Sequence, residues 1–180
     1  CLDYFVEQPG RYTFNQAFFA NHNALIHRLE TCFPGSNDTG SSTQSIRPTA
    51  LAEKLRLGRQ DVKGLLFDRD IVAFYGDPAW QAKMANGKNN WDQTLSRKGN
   101  EYSFVITPTA GPGSYMPVNE NGVQRGHRPF VEFFDKRLGE VSIVSGSEYD
   151  PVITDTFVLV PNPFPDQEAE SIKVVFREKD

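Results

Sequence analysis

The chain has 180 residues, 38% of them hydrophobic and 23% charged, with a net charge of −4. That balance belongs to a globular protein and excludes a disordered tail. Lysines and arginines are scattered, which argues against a nucleic-acid partner, and no apolar run approaches the ~20 residues of a membrane-spanning helix.

Two cysteines, Cys1 and Cys32, form neither a metal pattern nor a disulfide framework. A first-position cysteine suits a mature lipoprotein, but "LDYFVEQPGRYTF" is aromatic and unlike a flexible tether. Cys1 is therefore expected to mark a processing point or simply the first residue of the stretch. No secretory-leader pattern is read in these residues.

"QPGR" (8–11) is a turn. Then "TFNQAFFANHNALIHRLETCF" opens with a capping box, Thr13 with Gln16. Phe14, Phe18, Leu25, Leu29 and Phe33, with Ala17 and Ala24 beside them, predict a helix of about five turns at 3.6 residues per turn. Pro34-Gly35 stops it. Residues 35–46 are small and polar and read as a surface loop. Pro48 opens a second helix carrying Leu51, Leu55, Val62, Leu65 and Leu66, with a break expected near Gly58.

"IVAFY" (71–75) reads as a strand buried on both faces, because nearly every position is apolar. It ends on Gly76-Asp77-Pro78, and Trp80 is expected to pack at a junction. From there the texture changes to short β-type runs: "WQAKM", "WDQTLSR", "EYSFVITP", "RPFVEFFDK", "GEVSIVSG", "DTFVLVPN" and "SIKVVFREK". Turn residues separate them at the spacing of a sandwich, and residues 109–126 form a long loop. Phe130, Phe133, Phe134, Phe157, Phe164 and Phe176 are expected in its core. The chain thus divides into 1–79, helical with one strand, and 80–180, all-β.

A doubly buried strand requires partners on both edges, or its backbone polar groups are buried unpaired. None is read within residues 1–79. That portion is therefore expected to be the tail of a larger α/β domain; the other reading is a small α+β unit packed on the sandwich.

"FYGDPAW" after an apolar strand, preceded by the "TFNQAFFANHNALIHRL" helix, resembles the end of the catalytic domain of gingipain-type cysteine peptidases. The resemblance implies a caspase-like α/β fragment over 1–79 and an immunoglobulin-like β-sandwich over 80–180. It implies a secreted or cell-surface bacterial protein acting on protein or peptide substrates. The nucleophilic cysteine and its histidine would lie upstream, in the N-terminal remainder of the same peptidase. "CLDYF" does not match the family's nucleophile segment, so no catalytic residue is assigned in this chain.

Gly76, Asp77 and Pro78 are read as a stiff structural turn. Glycine permits unusual backbone, proline fixes its own φ, and an aspartate can accept from nearby amides. His22 and His27 are five apart on a helix and point in different directions; His127 lies in a loop. Calcium is a cofactor that the resemblance allows. Its candidate ligands are two acidic pairs taken as loop residues, Asp68 with Asp70 and Glu148 with Asp150, though solvated acids explain both. A non-catalytic extracellular binding or adhesion module, using the loops 35–46 and 109–126, is the rival reading.

Overall fold

The computed structural model describes residues 4, 8, 10–36, 46–73, 75–77, 79–81, 89–116, 128–163 and 169–179. Among them are three helices and two antiparallel sheets. The chain forms two compact units, one within Cys1–Ala85 and the other within Asn86–Pro117 and His127–Asp180.

In the first unit, helix α1 spans Phe14–Cys32. Its N-terminus is closed by the expected box: Gln16 N–H donates to Thr13 Oγ1 at 3.2 Å, and Thr13 N–H donates to Gln16 Oε1 at 2.9 Å. Two of the amides a helix leaves orphaned are thereby satisfied. Its buried line is the expected one over Ala17, Ala24, Leu25, Leu29 and Phe33, and differs at its start. Ala17, Ala20, Ala24, Leu25, Leu29 and Cys32 are buried, while Phe14 and Phe18 are half-buried. The small alanines let neighbouring chain approach closely, and the bulkier phenylalanines lie at the margin.

The expected second helix is two, α2 over Ala50–Lys54 and α3 over Arg59–Ile71. Arg56 takes a φ of 57° between them, and Gly58 donates its N–H to Asp61 Oδ2 at 2.6 Å. Thr49 joins α1 to α2. Its N–H and Oγ1 donate to the carbonyls of Cys32 and Thr31, both at 2.9 Å, and its Oγ1 accepts from Ala52 N–H. One threonine so serves a helix C-terminus and the next N-terminus.

The expected strand at 71–75 is not formed. Helical hydrogen bonding carries α3 through Ile71, and Val72, which follows in extended geometry, lies beside no described strand. Ile71 is 56% exposed, Val72 53% and Tyr75 92%. Burial on both faces is therefore corrected to exposure; Phe74 lies outside the described residues.

The second unit holds β1 (Trp91–Lys98), β2 (Glu101–Pro108), β3 (Phe130–Phe133), β4 (Val141–Ser145), β5 (Val152–Ile153), β6 (Phe157–Val160) and β7 (Ile172–Glu178). All but the two-residue β5 fall on runs expected from sequence. "WQAKM" contributes no described strand, and most of it lies outside the described residues. The sheets run β1-β2-β7-β4 and β3-β6-β5. Lettered A to G in chain order they read A-B-G-D and C-F-E, whereas an immunoglobulin constant domain reads A-B-E-D and C-F-G. The fifth and seventh strands exchange places. Thr154 N–H donates to Phe157 O at 3.0 Å, closing β5 onto β6 in a tight hairpin. The seven-residue β7 instead pairs with both β2 and β4.

Alternation in β2 sends Tyr102, Phe104 and Ile106 inward, opposite Phe176, Val174 and Ile172 of β7. Phe130, Val158 and Val160 of the other sheet join the same hydrophobic core. Tyr102 stacks on Phe176 with centroids 5.2 Å apart, and Trp91 meets Phe130 edge-on at 5.3 Å. Phe130 and Phe176 are fully buried, whereas Phe133, Phe134 and Phe157 are half-buried; Phe164 lies outside the described residues. Gln93 of β1, also buried, donates from Nε2 to Val131 O at 2.8 Å and Glu132 Oε2 at 3.0 Å. These two bonds link the sheets through polar groups that would otherwise be costly to bury.

Candidate functional site

The turn that follows α3 is built on backbone chemistry. Gly76 takes a φ of 147°, a conformation side chains disfavour. Asp77 Oδ1 accepts from Ala79 N–H at 2.9 Å, an aspartate-stabilised turn. Trp80 N–H donates to Asp77 O at 3.2 Å, and Trp80 O accepts from Phe14 N–H at 2.8 Å. The last bond satisfies another orphan amide in the first turn of α1. Trp80 also meets the Phe14 ring at 5.9 Å while remaining 54% exposed. Its described packing is against α1. Pro78 lies outside the described residues.

The first acidic pair is not in a loop. Asp68 and Asp70 belong to the last turn of α3, where residues two apart point to nearly opposite sides at 3.6 residues per turn. Asp70 is engaged with its neighbour: Arg69 Nε and Nη2 donate to its two oxygens at 2.6 and 2.9 Å. That hydrogen bonding holds the Asp70 carboxyl below its ordinary value.

Glu148 and Asp150 stand on a 3-10 turn, Ser147–Tyr149, that leaves β4 through Gly146 at φ 86°. Asp150 itself takes a φ of 49°. Both acids line an open cleft of about 560 Å³ with Tyr149, Asn162, Glu170 and Ile172. Glu148, Asp150 and Glu170 are all exposed. Asn162 donates from Nδ2 to Tyr115 O at 3.2 Å, and Tyr115 donates its hydroxyl to Glu170 O at 2.7 Å. Burial pushes that phenol up to about 12, so it stays protonated as a donor. Among the described residues no three His, Cys, Asp or Glu side chains are placed to hold a metal.

Cys32 is fully buried, and burial raises its thiol above the ordinary 9.0 despite the opposing effects of Arg28 and Thr31. A protonated, covered thiol is a poor nucleophile. His22 stacks on Phe18 with centroids 6.3 Å apart on the surface of α1. Cys1 and His127 lie outside the described residues. Sequence reasoning singled out Glu148 and Asp150 but missed the cleft they line, since Asn162 and Glu170 reach Glu148 only through strand pairing. It also missed Trp80 as the acceptor for α1. No described helix is long and apolar enough to cross a membrane.

No protein-family model matches the chain, and neither the curated proteins nor the solved structures contain a match.

Proposed function

We propose that this chain is a supporting, non-catalytic part of a larger gingipain-like cysteine peptidase, its Cys/His dyad supplied by upstream sequence. Residues 1–79 would close the catalytic α/β domain, and residues 80–180 would be an immunoglobulin-like sandwich in layer count, with its own strand order. The observation carrying this reading is the apolar stretch after α3. Ile71, Val72 and Tyr75, with Phe67 at 62% exposure, present hydrophobic surface that a folded chain ordinarily covers. Val72 leaves α3 in extended geometry and lies beside no described strand, where a strand from upstream sequence would pair. The turn at Asp77, fastened to α1 through Trp80, would fix where that pairing ends.

Substituting Val72→Asp and Tyr75→Asp in the full-length protein tests the reading. Loss of alkylation-sensitive peptide hydrolysis is expected, while residues 1–180 alone, folded by circular dichroism, hydrolyse nothing. A full-length variant that keeps full activity overturns it, as does hydrolysis by residues 1–180 alone.

A second reading, an extracellular adhesion module, is favoured by the sheet edges. The edge strands β4 and β5 leave Ile143, Val144 and Val152 exposed. An upstream gene segment without a cysteine and a histidine, each after an apolar strand, would select this reading over the first.

A further inference from the structure

We draw no further inference here: the strongest candidate, the cleft where Glu148, Asp150 and Glu170 gather beside the buried Asn162 Oδ1 that finds no partner among the described residues, is a cluster of exposed acids around a side chain already bonded to Tyr115 and only half-buried, so nothing in the structure points to a ligand.

Discussion

The Phe14 amide and the Trp80 carbonyl lie 2.8 Å apart, so the first residue of α1 is hydrogen-bonded to a residue 66 positions later. The bond holds only while the intervening turn holds, and Asp77 is what closes that turn. Asp77→Ala removes the acceptor for Ala79 N–H. Because the group is exposed and water replaces it, the cost is about 0.5–1 kcal/mol. The checking measurement is the urea midpoint, together with faster exchange of the Phe14 amide. Asp77→Asn keeps an acceptor oxygen and should behave as the parent; an unchanged Phe14 exchange rate in the alanine variant would refute the coupling.

Two glycines with similar backbone should respond differently to alanine. A Cβ on Gly146 would sit 2.5 Å from Lys173 O and 2.9 Å from Val174 Cα, whereas one on Gly99 meets nothing within 4 Å. Both have positive φ, 86° and 67°. Gly99→Ala carries only the left-handed penalty of about 1–2 kcal/mol. Gly146→Ala adds a backbone clash, for a total of about 2–4 kcal/mol. Thermal unfolding of the two variants side by side reads the difference, and equal losses would contradict the crowding at Gly146.

Gln93 is buried, and its Nε2 serves Val131 O and Glu132 in the facing sheet. Gln93→Leu keeps the volume and withdraws the donor, so the loss should be about 1–3 kcal/mol. The exposed Ser96→Ala on the same strand should change stability by less than about 0.5 kcal/mol. Denaturant unfolding, followed by the fluorescence of the adjacent Trp91, compares them.

Glu178 is anchored by Gly139 N–H at 2.9 Å and by Lys136 Nζ at 3.0 Å. The Gly139 bond, then Lys136, holds the carboxyl below its ordinary 4.5. A folded value lowered in this way stabilises the fold above the unfolded value and ceases to do so as pH falls through the folded one. Glu178→Gln should therefore be less stable than the parent near neutrality, and the gap should close as pH falls below the ordinary 4.5 and through the lower folded value. Parallel unfolding curves across pH 2–7 would display it; a gap independent of pH would rule it out.

Cys32 is covered at the C-terminal end of α1, its thiol pushed up by burial. Iodoacetamide should label it slowly in the native protein and rapidly once denatured, as peptide mass spectrometry can follow. Fast labelling of native Cys32 at neutral pH would show an accessible thiolate and reopen the question of a nucleophile in this chain.

Local chemistry was legible in the sequence because it acts over three or four residues. Thr13 and Gln16 could be paired by spacing alone, the break near Gly58 followed from its weak helix propensity, and the β-type run "EYSFVITP" marked β2 with its bounds. The apolar run at 71–75 was misread because composition cannot separate a strand from a helix end followed by exposed chain. That distinction rests on whether a partner strand lies alongside, which periodicity does not encode. Asp68 and Asp70, expected in a loop, lie in the last turn of α3 because the helix runs on through Ile71.

Residue types thus determined where α1 begins, where the turn at Asp77 stiffens and which runs of the second half are strands. Only the tertiary structure decided that β7 lies between β2 and β4, that Trp80 caps α1, and that Asn162 and Glu170 stand beside Glu148. Those placements depend on pairing between segments tens of residues apart, where packing and backbone hydrogen bonds select one register among many of similar local preference.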